Sequence, residues 1–298
     1  MFESFQSFAI DTGGVVIRGV HNLERAGGKP PLLLLHGYPQ SHVIWHRVAP
    51  LLADDYALVL PDLRGYGKSD KPSGSEDHSN YSKRVMARDQ LEVMRALGLR
   101  RFFVCGHDRG GRVAHRLASD APEAVVRLMV LDISPTLTMY EGTTMEFARS
   151  YWWWFFLIQP SPLPETLIGA SAEAYLAKKL GTGSAGLTPF SDEAYASYLA
   201  GLRDPATVHG MCEDYRAAAS IDLEHDRADR DSGKRIQCPV RVLWGERGVV
   251  NRCFHPVQDW RAVTAAEFPV TGRTLPGGHY IPEELPALLV SELRQFMV

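Results

Sequence analysis

Residues 102–117 constrain this chain more than any other stretch. Phe102-Phe103-Val104-Cys105 is an apolar run of strand length, Val113 and Leu117 lie one helical turn apart, and Gly106-His107-Asp108-Arg109-Gly110-Gly111 joins the two. A strand that turns this sharply into a helix needs small residues two before and two after its apex, because a Cβ there would collide with neighbouring backbone. Gly106 and Gly110 meet that demand around Asp108. The turn would push Asp108 out at the carboxyl end of a sheet, where ligands of open α/β folds bind. A solvated aspartate in a plain Gly-rich turn is the blander reading, and the run of strand, glycines and helix weighs against it.

The rest of the first half repeats the pattern. Leu32–Leu35, Tyr56–Leu60 and Val126–Leu131 are further apolar runs bounded by turn residues, and Ala87, Leu91, Met94 and Leu97 share one helical face. Alternating strand and helix predicts an α/β fold with a mostly parallel sheet flanked by helices. After Ile133 the alternation stops for about ninety residues, and an aromatic, proline-bearing stretch with helical period replaces it. Ser191-Asp192-Glu193 is a helix start, and Tyr195, Tyr198, Leu199 and Leu202 follow on one face. Strand character returns at Val240–Trp244 and near Phe268–Leu275. The spacing therefore predicts a core from residues 1–138 and 226–298, with a helical cap inserted at 139–225.

Composition narrows the partners. Lys plus Arg number 32 against 35 Asp plus Glu in 298 residues, with no basic stripe, so nucleic acid is not expected. Cys105, Cys212, Cys238 and Cys253 form no C-x-x-C pair, which argues against a zinc site or disulfide framework and for reduced thiols in a cytosol. The aromatic stretch Tyr151–Ile158 is far short of the roughly 20 residues that span a bilayer, so no membrane association is expected.

A carboxylate at the apex displaces a leaving group from carbon and is left as an alkyl ester, whose hydrolysis needs a histidine oriented by an acid. His279, in Gly277-Gly278-His279 after the last strand, is where this topology would bring a base to Asp108. For the acid, Asp132 ends the strand Val126–Leu131, whereas Glu246 sits beside Arg247 in a turn and reads as a solvated ion pair; Asp132 is preferred. The His36-Gly37-Tyr38-Pro39 turn follows an early strand, so the Tyr38 backbone N–H, with that of Arg109, is expected to face a developing oxyanion. His107 is expected to pack beneath the turn.

These residues, with Asp62-Leu63-Arg64-Gly65-Tyr66-Gly67, resemble the α/β-hydrolase superfamily. More narrowly, His107-Asp108-Arg109-Gly110-Gly111-Arg112, Asp132-Ile133-Ser134-Pro135-Thr136 and Cys212-Glu213-Asp214-Tyr215-Arg216-Ala217 resemble the haloacetate dehalogenases, which include the fluoroacetate dehalogenases. The resemblance implies Asp108 as nucleophile, His279 as base and Asp132 as its acid, with no cofactor and no metal, and a possible homodimer. Arg109 and Arg112, three apart at a helix start, call for a carboxylate, and the resemblance implies that they hold the substrate's. It also implies Trp154 and Tyr215 as halide donors. At the third donor position the family commonly has histidine, and this chain has Trp153. A second departure is Lys179-Leu180-Gly181-Thr182-Gly183, where relatives often carry a tryptophan near Gly183.

The expected reaction is hydrolysis of short 2-haloacids, haloacetate and water giving glycolate and halide. Chloroacetate and bromoacetate should be better substrates than fluoroacetate, because compact fluoride needs closely converging donors. An epoxide hydrolase is the alternative, but paired arginines have no task with a neutral epoxide. A binding protein on the same scaffold would lack catalytic residues, and a serine esterase would need Ser at position 108.

Overall fold

Every apolar run marked as a strand is one, and two further strands precede them. The computed structural model describes residues 1–183 and 185–298. Among these, β1 (Gln6–Asp11), β2 (Val16–His21), β3 (Pro31–Leu35), β4 (Ala57–Pro61), β5 (Phe102–His107), β6 (Val125–Leu131), β7 (Val240–Gly245) and β8 (Val270–Leu275) form one sheet. Their order is β1-β2-β4-β3-β5-β6-β7-β8. β2 runs antiparallel to β1 and to β4, and the remaining neighbours are parallel.

The central strands show why such a sheet reads as continuous apolar runs. Leu33 and Leu35 pack into one hydrophobic cluster and Leu32 and Leu34 into another, all four fully buried, so successive side chains feed opposite covered faces. At about 1.5–3 kcal/mol per buried leucine, this strand contributes several kcal/mol of the driving force for folding. The amino-terminal hairpin escapes a sequence reading because β1 lies at the sheet's edge and alternates exposed and half-buried residues, with too few apolar side chains to mark it.

The connection between β6 and β7 is helical from Thr136–Glu141 to Ile221–Ser232. Within it, Ser191 Oγ accepts from the Ala194 N–H, 3.2 Å away, and the helix Asp192–Arg203 buries Tyr198, Leu199 and Leu202. We call this excursion the cap.

Candidate active site

Asp108 stands between the end of β5 and the helix Arg109–Asp120 with φ 48° and ψ −114°. A non-glycine residue in such a conformation costs on the order of 1–3 kcal/mol, which the packed strand and helix on either side hold in place. The expected small residues matter: a Cβ on Gly110 would stand 2.4 Å from the His36 carbonyl oxygen. A Cβ on Gly37 would likewise stand 2.6 Å from the Asp108 Cβ, so the His36–Pro39 turn lies directly against the elbow.

His279, on the loop after β8, faces two carboxylates. Its Nδ1 is 2.6 Å from Asp132 Oδ2, and its Nε2 is 3.1 Å from Asp108 Oδ2. Asp132 is steadied by β7, whose Gly245 N–H donates to Oδ1 at 3.0 Å. Burial opposes a charge on His279, but its hydrogen bonds to Asp108 and Asp132 prevail and raise its pKa. Burial also opposes charge on Asp108, yet the bond to His279 and that imidazole's charge, helped by the charge of Arg112, hold its carboxyl well below the usual range. Asp108 Oδ1 is buried without a hydrogen-bond partner among the described residues.

His107 does more than fill space. Its Nε2–H donates to the His279 carbonyl oxygen at 2.8 Å, and burial, with His279 nearby, pushes its pKa down to about 3. A neutral imidazole is thus fixed behind the His279 loop.

The two arginines are not equivalent. Arg109 Nε and Nη2 donate to the Asp214 carboxylate at 2.9 and 2.7 Å, and Nη2 also donates to the Asp214 carbonyl. Arg109 is thus neutralised by Asp214 of the cap, with only Nη1 left unpartnered among the described residues. Asp214 also pairs with Lys83 and accepts from Tyr66 Oη. Arg112 is buried as deeply but faces neutral groups: Ser134 O, Thr136 Oγ1 and Met139 Sδ. Its Nε has no hydrogen-bond partner among the described residues, and its guanidinium lies 4.7 Å from the Trp154 ring centre. Burial, and then the neighbouring charge of Arg109, lower its pKa.

The indole N–H groups of Trp153 and Trp154 and the Tyr215 hydroxyl are likewise buried without partners among the described residues. Tyr215 packs its ring 4.1 Å from the Arg109 guanidinium and edge-on to Tyr38 at 5.2 Å. Buried polar groups are nearly always paired, so this many unspent groups around one carboxylate mark a place for a polar ligand. A crevice of about 90 Å³, lined by Trp153, Gly183, Arg247, Arg252 and His279 among others, opens beside it. A groove of about 520 Å³ between the amino-terminal segment and the helix Asp192–Arg203 includes none of the elbow residues.

Sequence reasoning missed the parts played by Asp214 and Lys179. Asp214 adjoins Tyr215 in the Cys212–Ala217 motif, and nothing in the local pattern says which arginine it would meet. Lys179 had a clearer signal, since Leu176, Lys179 and Leu180 share one buried helical face.

The chain matches the α/β hydrolase fold family over residues 30–284. It is 45% identical over its whole length to a fluoroacetate dehalogenase of a Burkholderia species, covering 95% of that protein. It is 32% identical to a soluble epoxide hydrolase of Corynebacterium sp. strain C12, over 91% of each chain. A crystal structure of a Nostoc protein described as an α/β hydrolase superposes with a TM-score of 0.95 at 50% identity, covering 100% of this chain and 99% of that one.

Proposed function

The chain belongs to the α/β-hydrolase superfamily and, within it, to the fluoroacetate dehalogenase family, and from that premise we propose that it hydrolyses short 2-haloacids through an ester on Asp108. The observation that carries this reading is Arg112. A guanidinium buried beside a nucleophile, with neutral partners and an unspent Nε, is incomplete without an anion. A substrate carboxylate completes it, with Arg109 Nη1 as second donor; a neutral epoxide does not.

In this mechanism the carboxylate fixes the neighbouring carbon over Asp108. Oδ1, free of His279, attacks that carbon as the carbon–halogen bond breaks and the halide leaves with the bonding pair. Trp153, Trp154 and Tyr215 donate to the charge growing on the halogen. Ester formation removes the charge of Asp108, one of the two groups that raise the pKa of His279, so the imidazole becomes readier to be neutral at the step that needs a base. His279 Nε2 takes a proton from water, the hydroxide adds to the Asp108 carboxyl carbon, and the N–H groups of Tyr38 and Arg109 receive the oxyanion. The intermediate then collapses: the bond between the Asp108 carboxyl carbon and the alkyl oxygen breaks, the imidazolium of His279, stabilised by Asp132, gives its proton to that oxygen, and the 2-hydroxyacid is released.

Halide release from fluoro-, chloro- and bromoacetate, run beside styrene oxide hydrolysis, tests the reading. Haloacetate turnover with inert styrene oxide is expected, and the reverse result would replace it with the epoxide hydrolase. Intact mass of His279→Ala after chloroacetate treatment should show one added carboxymethyl group on Asp108; an unmodified, inactive chain would remove the covalent step.

A further inference from the structure

Lys179 has no task in this mechanism, yet its surroundings are built. This lysine of the cap helix Ala172–Thr182 is 1% exposed. Its ammonium lies 3.9 Å from the centre of the Trp153 ring, with the rings of Tyr280 and Tyr38 at 5.0 and 5.7 Å. It donates to Tyr280 Oη at 2.6 Å, and that hydroxyl donates back to the Lys179 carbonyl oxygen at 3.3 Å. Among the described residues it has no carboxylate within ion-pair distance. Lysines ordinarily keep the ammonium in water, and an uncharged side chain of similar length would fill this space without the cost of desolvation.

What the position supplies is a cation on the face of one particular indole. A cation there draws ring electrons toward itself and leaves the in-plane N–H more positive, hence a stronger donor. The Trp153 N–H is buried and unspent, and Trp153 lines the crevice together with His279. We propose that Lys179 is a positioning and specificity-determining residue of the halide site: its ammonium fixes the Trp153 indole and polarises its N–H, strengthening the donor that faces the leaving halide. This rests on the reading of Trp153 as a halide donor.

The same geometry makes the effect depend on pH. Burial pushes Lys179 down to about 7, against the attraction of Asp108 and then Asp132. The other titratable groups around it are Tyr280 and His279 on the loop after β8, Tyr38 on the turn after β3, His107 on β5, and Tyr151 and Tyr175 in the cap. Burial raises the tyrosines and keeps His107 neutral. Between about pH 6 and 9 Lys179 therefore changes charge, and His279, raised by its bonds to the two carboxylates, is the other group nearby whose charge bears on the halide.

Chloride and bromide binding, read by tryptophan fluorescence quenching across that range, needs no turnover and tests the inference directly. In the parent, affinity should fall as Lys179 loses its proton. Lys179→Met should bind chloride about fivefold more weakly at pH 6 and lose that part of the pH dependence, leaving only what His279 contributes. Lys179→Arg keeps its charge, so it should bind as the parent does at pH 6 and hold that affinity at pH 9. In a Trp153→Phe background, Lys179→Met should have little further effect.

Unchanged chloride affinity and pH dependence in Lys179→Met, or an equal loss with and without Trp153, would overturn the proposal. If Lys179→Met does not fold, the other two proteins decide: a Lys179→Arg chain that still weakens above pH 7, or a Trp153→Phe chain with the parent's full pH dependence, overturns it as well. Failure of the dehalogenase reading is separate, since a chain that releases no halide from any haloacetate can still show Lys179-dependent chloride binding.

Discussion

The backbone N–H of His279 donates to the carbonyl oxygen of Gly183, 2.6 Å away. A loop of the cap thus holds the histidine of the core, and the position of the proposed base depends on how the cap is seated. The contact leaves no slack, because a Cβ on Gly183 would stand 3.1 Å from the His279 Cβ. Gly183→Ala should therefore displace the imidazole by a few tenths of an ångström and slow ester hydrolysis about tenfold, while ester formation, which needs only the Asp108 carboxylate, changes little. Single-turnover kinetics with chloroacetate separate the two steps, and equal slowing of both would show that the contact does not position the base.

Substitutions at Asp214 and at Arg112 should give opposite signatures. Asp214→Asn removes the anion that neutralises Arg109 and Lys83 and should lower stability by about 3–5 kcal/mol in urea unfolding. Arg112→Leu removes a buried cation that has no carboxylate partner among the described residues, so stability should hold or rise. Its kcat/KM for chloroacetate should nevertheless fall by about 1.5–3 kcal/mol, or roughly ten- to hundredfold. A substantial loss of stability in Arg112→Leu with normal kcat/KM would make it a structural residue.

Glu283 ties the core to the cap and should set part of the pH dependence of folding. Its carboxyl is buried and accepts from Tyr198 Oη, while its second oxygen has no hydrogen-bond partner among the described residues and lies 3.7 Å from His46 Nδ1. Burial raises its pKa to about 7 from an ordinary 4.5, against the opposing effect of the Tyr198 bond. Between those values the folded protein holds the proton more tightly than the unfolded chain. This group's contribution is therefore fully present below about pH 4.5 and is lost as pH rises through about 7. Glu283→Gln keeps the Tyr198 donor satisfied and cannot ionise, so it should be more stable than the parent at pH 8 by on the order of 2 kcal/mol, and equal to it at pH 4.5. Urea unfolding at both pH values checks this, and a variant less stable at pH 8 would contradict it.

Halogen choice should respond to position 153. With an indole there, chloroacetate and bromoacetate should be turned over more readily than fluoroacetate, whose compact leaving ion depends most on close donors. Trp153→His should raise the ratio of fluoroacetate to chloroacetate kcat/KM, a tenfold rise corresponding to about 1.4 kcal/mol of differential transition-state stabilisation. Circular dichroism must first show that the variant folds, since losing an indole can leave a cavity costing several kcal/mol. A folded variant with an unchanged ratio would show that this residue does not govern the choice.

The elbow is legible in the sequence because it is local. Strand, Gly106, Asp108, Gly110 and helix lie within a few residues, and steric rules alone place the apical carboxylate. His279 and Asp132 are legible for a related reason: each follows a strand, and a parallel sheet brings all such strand ends to one edge. Tertiary structure alone decided the partners. Arg109 meets Asp214 across 105 positions, Lys179 settles on Trp153, and Gly183 reaches His279. Each of these contacts joins the core to the cap or one part of the cap to another, and it depends on how whole helices are tilted and set. Periodicity shows which face of an element turns inward; packing of the complete chain determines what that face meets.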